Sequence, residues 1–195
     1  MEQKQFIPNR KLSNAVCFTI LAVFLFGGVF AGQSYGGTSK EIDASANAAM
    51  DRFYKNVKDA KEIVMKANGM LVLPNVKKGA FIIGGEYGEG AMRIDGKTVD
   101  YYNMISVSVG FQIGGQAKDI VFAFMSSDAL KKFRNSKGWE AGVDGNVALI
   151  KIGAGESAIT AMGEEQIVAF VFDVKGLIAD ISLKGAKFNK LDKSK

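Results

Sequence analysis

FIIGGEYGEGAMR, residues 81–93, is the segment from which the fold class can be inferred. Its β-forming residues are interrupted by four glycines, at 84, 85, 88 and 90. Glycine within a strand indicates a bulge, tight curvature or the close approach of another backbone. The pair Asp95-Gly96 that follows is a hairpin signal. This segment therefore predicts a strand of a strongly curved sheet or small barrel rather than of a flat sheet.

Further strand patterns follow this segment along the chain. Residues 101–113 alternate, with apolar residues on one side (Ile105, Val107, Val109, Phe111 and Ile113) and serine, glycine or glutamine on the other. Residues 120–125 are apolar on both faces, as in a central strand, and residues 139–150 alternate again. Residues 167–174 and 177–183 flank a Lys175-Gly176 hairpin signal. The pattern predicts six or seven mostly antiparallel strands, with a short helix from Ser127 to about Arg134.

Residues 40–67 precede the strands and have helical periodicity. Their apolar positions recur at spacings of three, four and seven: Ile42, Ala46, Ala49, Met50, Phe53, Val57, Ala60 and Val64. A continuous helix of this length would be roughly 42 Å long, which exceeds the width of a small domain, so a bent or broken helix is also compatible. The expected fold class is α+β: a long N-terminal amphipathic helix packed on a strongly curved, glycine-rich, mainly antiparallel sheet or small barrel, plus a short helix.

Residues 1–31 have the features of an export signal. Lys4, Arg10 and Lys11 precede an uncharged run of 17 residues at 15–31, which ends in Val-Phe-Ala. A signal cleaved after Ala31 is the preferred interpretation, and an uncleaved N-terminal anchor is the alternative. A lipoprotein is not favoured, because Cys17 lies near the start of the run rather than just after it. We therefore expect an exported protein of the periplasm or cell envelope.

The predicted domain organisation follows from these patterns. The expected segments are an export signal at 1–31, a Gly/Ser-rich linker at 32–39, a single domain at 40–187 and a lysine-rich tail at 188–195. The C-terminal lysines are expected to be solvated, with contact to an anionic surface as the alternative.

The composition argues against several kinds of catalytic and binding site. The chain has no histidine and one cysteine, which excludes Ser-His-Asp triads, Cys-His pairs and most zinc sites. The net charge of +5 is too evenly spread to indicate a nucleic-acid-binding domain. Glycines 84–90 lack the spacing of a nucleotide-binding loop, and no metal-binding loop is recognisable. We therefore expect neither cofactor nor metal.

Glu86 and Glu89 are the best candidates in the sequence for a pair of catalytic carboxylates. Their odd separation places them on opposite faces of a regular strand, so we expect them to be solvated or ion-paired instead. The chain is accordingly not expected to be an enzyme. The least favoured alternative is a hydrolase that uses a carboxylate or a Ser-Lys pair.

Basic side chains border the apolar stripe of the predicted helix or fill its polar side: Arg52, Lys55, Lys58 and Lys61. Long basic side chains beside an apolar stripe can reach lipid phosphates. In the alternative interpretation, the stripe packs on the sheet and the basic residues lie in water. Both interpretations hold if only the basic flank meets a membrane.

The order of these segments resembles that of the SYLF domain family, a lipid- and actin-associated module. The matching motifs are ANGMLVLP (67–74), FIIGGEYGEG (81–90), YYNMISVSVGFQIGGQ (101–116), FRN (133–135) and WEAGVDG (139–145). The resemblance extends over about residues 42–183. It implies a non-enzymatic domain that binds phospholipids through a basic amphipathic helix on its N-terminal side, where this chain has Arg52, Lys55, Lys58 and Lys61.

The expected function combines these arguments. It is non-enzymatic binding of anionic phospholipids at a cell-envelope membrane surface, with no nucleic-acid partner. The export signal suits a bacterial member of the family, for which actin is not expected to be the native partner. A structural or protein-interaction module of the envelope is the alternative.

Overall fold

The computed structural model describes residues 36–79, 84–108, 116–151, 158–175 and 182–193. The predicted export signal at 1–31 and most of the predicted linker lie outside the described residues. From Gly37 onward the chain forms one compact unit.

Two consecutive helices occupy the predicted helical segment: α1 (Ser39–Asn56) and α2 (Ala60–Lys66). A capping box starts α1, because the Thr38 hydroxyl accepts the N–H of Glu41 and the Glu41 carboxylate accepts the N–H of Thr38 at 2.7 Å. The Thr38 backbone N–H, and to a lesser extent the Thr38 hydroxyl, donate hydrogen bonds to the Glu41 carboxylate and so lower the pKa of Glu41. The helix breaks where Val57 is extended and Asp59 is left-handed, with φ of 67°. Val57 remains buried, so the chain turns without exposing the apolar stripe.

Among the described residues, eight strands form one sheet: β1 (Gly69–Gly79), β2 (Gly84–Ile94), β3 (Lys97–Ser108), β4 (Gln116–Phe124), β5 (Trp139–Glu140), β6 (Ala148–Lys151), β7 (Ile167–Lys175) and β8 (Lys187–Leu191). Their order is β5-β8-β3-β2-β1-β4-β7-β6, and every pair is antiparallel except β6 with β7. Two further helices are α3 (Ser127–Asn135) and α4 (Ala158–Met162). The sheet curls strongly into a half-barrel, which confirms the predicted α+β fold.

Glycines in β2 allow the close approach of β1 that accompanies this curvature. A Cβ atom added to Gly90 would overlap the carbonyl oxygen of Val72 and lie 2.8 Å from its carbonyl carbon. One added to Gly88 would lie 2.7 Å from Cγ2 of Val76. Residues 84–90 are therefore a strand, as predicted, and Gly88 and Gly90 serve its packing against β1. The predicted hairpin at Asp95-Gly96 is also confirmed, since both residues have positive φ.

Other elements pack on both faces of the sheet. The helix face, as we call it, packs against α1, α2 and α4, and Phe53 of α1 contacts the rings of Phe170 and Phe172 there. The α3 face, on the other side, packs against α3 and β5, with Phe133 in contact with Trp139. β4 supplies buried apolar residues to both faces, as predicted for a central strand.

The predicted lysine-rich tail at 188–195 is wrong for its first residues. Lys187–Leu191 is β8, which pairs with β3 and β5. Phe188 is 1% exposed, and its ring centroid is 5.1 Å from that of Phe122 on the α3 face. Lys187 and Lys190 are exposed while Phe188 between them is buried, so a strand that completes the core has the composition of a charged tail.

The strand expected at 139–150 is also wrong as a single element. Two short strands, β5 and β6, lie at opposite edges of the sheet instead. The chain between them turns at Gly142, which has φ of 85°. The alternation of apolar and polar residues at 139–150 therefore indicated an extended backbone, but it did not reveal the turn that divides the segment into two strands.

Candidate functional site

α1 crosses the helix face and is held by hydrogen bonds on the side that faces the β2–β3 hairpin. Asp43 accepts hydrogen bonds from the hydroxyls of Thr98 and Tyr101, at 2.7 and 2.9 Å. Arg93 donates to the Asn47 side chain at 2.7 Å. The opposite side of α1 faces the ends of the strands that lie away from this hairpin.

Arg52 lies on that opposite side and is paired with carboxylates of the sheet. Its Nε donates to Oδ2 of Asp119 at 2.7 Å and lies 3.2 Å from a carboxylate oxygen of Asp173. Asp119 is only 1% exposed, and its other oxygen accepts the N–H of Asn75 at 2.9 Å. The hydrogen bond to Asp119 raises the pKa of Arg52. Arg52 therefore links α1 to β4 and β7 by ion pairs, and the carboxylates of Asp119 and Asp173 compensate its charge.

Lys55, Lys58 and Lys61 are placed differently. All three are exposed and line one open depression around the break between α1 and α2, together with Tyr54. Within the described part of the chain, no ion pair engages any of the three. The structure thus brings three of the four predicted site residues together as an exposed basic cluster.

Glu86 and Glu89 lie on opposite faces of the sheet, as predicted. The Glu86 carboxylate accepts a hydrogen bond from Lys118 at 2.8 Å, and both side chains are buried. Glu89 accepts the N–H of Gly37 at 2.8 Å and the hydroxyl of Tyr87 at 2.7 Å. The two glutamates therefore serve separate structural contacts and do not form one acid–base site.

A cavity of about 540 Å³ opens on the hairpin side of α1. Met50, Tyr54 and Met70 contribute apolar surface to it. Its charged lining mixes one cation, Arg93, with carboxylates of both α1 and the hairpin (Asp51 and Asp95). This mixture does not select for an anionic ligand, so the cavity is not part of the basic cluster.

One exposed surface was missed by the sequence reasoning. Ile105 and Val107 of β3 are 42% and 70% exposed, whereas Ser106 between them is 6% exposed. Tyr87, opposite Ile105 on β2, is 44% exposed. Partial desolvation, followed by the hydrogen bond to Glu89, raises the pKa of Tyr87 to about 12. The alternation of β3 was visible in the sequence, but it did not show which side of the strand faces solvent.

The described residues form neither a group suited to a metal ion nor a helix suited to crossing a membrane. No group of three or more Cys, Asp or Glu side chains in those residues is placed to hold a metal ion. None of the helices formed by them combines the length and apolar character needed to cross a bilayer.

The curled sheet, the ion-paired helix α1 and the exposed lysines define an α+β domain with an exposed basic cluster. Residues 105–194 match the Ysc84 family, described as "Las17-binding protein actin regulator". This match confirms the resemblance to the SYLF domain family over the part of the chain that runs from the end of β3 through β8. The family is one of lipid- and actin-linked binding modules and is not known as an enzyme family. No curated protein matches the chain.

Proposed function

We propose that the protein binds anionic phospholipid at a membrane surface, without catalysis, through Lys55, Lys58 and Lys61. The observation that supports this most strongly is their common exposure around the break between α1 and α2, with no ion-pair partner among the described residues. A lysine close to an anionic bilayer contributes about 1 kcal/mol to binding. Arg52, whose charge is already matched by Asp119 and Asp173, is assigned to holding α1 in place.

Reversal of the three lysines tests the proposal. In the variant Lys55→Glu/Lys58→Glu/Lys61→Glu, the preference of the full chain for acidic over neutral vesicles should fall by about a hundredfold or more, because three attractions of about 1 kcal/mol are lost. Co-sedimentation with both vesicle types measures this ratio. The ratio cancels any contribution of the apolar run at 15–31, which does not depend on lipid charge. Added salt should mimic the change in the wild type, since exposed charges are screened within about 10 Å at 0.1 M.

A matched control separates local from overall charge. Lys97→Glu/Lys132→Glu/Lys137→Glu alters the net charge by the same amount at three exposed lysines outside α1 and α2. This control should keep most of the preference for acidic vesicles. If the first variant keeps its far-UV circular dichroism spectrum and binds acidic vesicles as tightly as the wild type, the basic cluster is not the binding site.

The membrane in question is proposed to belong to a bacterial cell envelope. The proposal is supported by the positively charged N-terminal segment and by the 17-residue apolar run that follows it at 15–31. N-terminal sequencing of the protein from its native envelope fraction should then begin near Gly32. A chain that still begins at Met1 would favour the anchored alternative.

A second candidate function is a protein-interaction module of the envelope. The family description, which names an actin regulator that binds Las17, favours a protein partner of some kind. Actin itself is not proposed as the native partner of an exported protein. A crosslinked complex that survives removal of lipid would support this candidate over the first.

A further inference from the structure

A row of side chains crosses the helix face of the sheet beyond α1. Lys77 of β1 pairs with Tyr87 of β2, Tyr87 pairs with Ile105 of β3, and Ile105 pairs with Lys187 of β8. Residues paired across neighbouring strands point to the same face, so these four form one continuous row. Val107 lies two residues further along β3 and therefore shares the face. We call these five residues the sheet patch.

The three apolar members of the sheet patch are adjacent and solvent-exposed. Tyr87 and Ile105 face each other across the ladder, and Val107 is the most exposed of the three. Single exposed apolar residues are common, but an adjacent group rimmed by charge indicates an interaction surface. The hydrophobic core of the helix face does not include any of these three residues.

The charges around the sheet patch favour an anionic partner. Lys77 flanks the apolar residues on one side and has no ion-pair partner among the described residues. Lys187 flanks them on the other side and is two-thirds exposed, although it lies 3.5 Å from Glu140. Tyrosine and aliphatic side chains bordered by lysine are typical of surfaces that enter a membrane interface. A second copy of the chain would bring lysine-rimmed patches together, which like-charge repulsion opposes.

The sheet patch also lies on the same side of α1 as Lys55. Lys55 follows Arg52 by one helical turn, and Arg52 contacts Asp119. Asp119 accepts the N–H of Asn75, which is two residues from Lys77 in β1. A chain of contacts through Arg52, Asp119 and Asn75 therefore runs from the helical turn before Lys55 to the edge of the sheet patch.

We propose that the sheet patch is a second membrane contact, in which Tyr87, Ile105 and Val107 enter the interfacial region of an anionic bilayer while Lys77 and Lys187 meet lipid phosphates. This inference rests on the proposed function, because the basic cluster would bring the patch to the bilayer. It adds an apolar component, which salt does not screen, to the electrostatic attraction of Lys55, Lys58 and Lys61.

A local probe tests the inference in the full chain. In a Cys17→Ser background, Val107→Cys is labelled with an environment-sensitive dye and mixed with vesicles of equal parts phosphatidylglycerol and phosphatidylcholine. Bound protein should show a blue-shifted emission and at least a threefold protection from an aqueous quencher. The control is Val143→Cys in the same background, at an equally exposed valine in the turn after β5. Its label should stay accessible to the quencher.

Vesicle affinity provides the second measurement. Ile105→Thr/Val107→Thr keeps β-branched side chains in the strand but lowers their hydrophobicity, so the affinity for the same vesicles should fall about tenfold. The control Val99→Thr/Val143→Thr alters two exposed valines outside the patch and should stay within about twofold of the wild type.

The outcomes distinguish the inference from the proposed function. If the label at 107 remains as accessible as that at 143 on bound protein, while reversal of the three lysines still abolishes the acidic preference, the inference fails and the proposed function stands. If the unmodified chain binds acidic and neutral vesicles equally, the proposed function fails and the inference fails with it. A label at 107 that becomes protected without vesicles, as the protein concentration rises, indicates a second copy as occupant and overturns the inference.

Discussion

At the scale of single residues, Arg52 differs from the lysines that follow it because the fold supplies its counter-charges. Asp119 is almost fully buried, so its carboxylate depends on Arg52 and on the N–H of Asn75 for compensation. Lys55, one turn further on, has no such partner among the described residues. Two basic residues of one helix face therefore have separate roles, one in stability and one in the proposed binding.

Replacement of Arg52 tests this difference. Arg52→Ala should lower the free energy of unfolding by about 2–3 kcal/mol, because it leaves a buried carboxylate without its cation, although Arg52 itself is partly exposed. Lys55→Ala should change it by no more than about 0.5 kcal/mol. Urea unfolding followed by circular dichroism measures both. Equal, small effects of the two substitutions would show that the ion pair contributes little.

At the scale of elements, the pairing of β1 with β2 depends on the absence of side chains at Gly88 and Gly90. The register between these strands shifts between Val72 and Lys77, and added Cβ atoms at Gly90 and Gly88 would collide with Val72 and Val76 in this region. Both glycines thus accommodate the curvature of the sheet.

Gly90→Ala should therefore destabilise the protein by about 3 kcal/mol or more, because its methyl group would collide with the backbone of Val72 rather than with a movable side chain. Gly85→Ala is the matched control in the same strand. Its methyl group would come no closer than 3.5 Å to the Ser106 carbonyl oxygen, so its effect should stay below about 1 kcal/mol. Thermal unfolding of the two variants compares them, and a Gly90→Ala protein as stable as the wild type would refute the close approach.

At the scale of the whole molecule, one sheet joins two hydrophobic cores. β1, β4 and β7 each contribute alternate residues to the core of the helix face and to that of the α3 face. We therefore expect a loss of packing on one face to destabilise the core of the other face as well. Trp139, the single tryptophan, is buried in the α3 face and reports on that core alone.

Phe53→Ala removes a ring from the helix face and should cost about 3–5 kcal/mol. If the two cores unfold as one unit, the urea midpoint of Trp139 fluorescence should fall together with that of far-UV circular dichroism. A fluorescence transition left at its wild-type midpoint would show instead that the two cores unfold separately. The comparison needs no label, because the chain contains no other tryptophan.

The local chemistry of the chain was enough to predict much of this architecture. Glycines within a period-two pattern predicted the curled sheet, because they remove the side chains that would block close strands. The apolar spacing of residues 40–67 predicted the amphipathic helical segment, and Asp95-Gly96 predicted the hairpin, because helix periodicity and turn dihedrals depend on residues near in sequence. The same local rule placed Glu86 and Glu89 on opposite faces of β2.

Contacts between residues distant in sequence settled the rest. Asp119, which pairs with Arg52, is 67 residues further along the chain, so nothing near Arg52 indicated that its charge would be matched. Alternation in β3 assigns its side chains to two faces of the sheet. Which of these side chains are covered depends on where α1 lies across the sheet, and Ile105 and Val107 are left exposed. Phe188 lies between lysines at 187 and 190 in the sequence, which gave no sign of a buried strand. β8 forms because its backbone pairs with β3 and Phe188 packs into the core of the α3 face. Periodicity is a property of the backbone, whereas burial and ion pairing depend on which surfaces folding brings together.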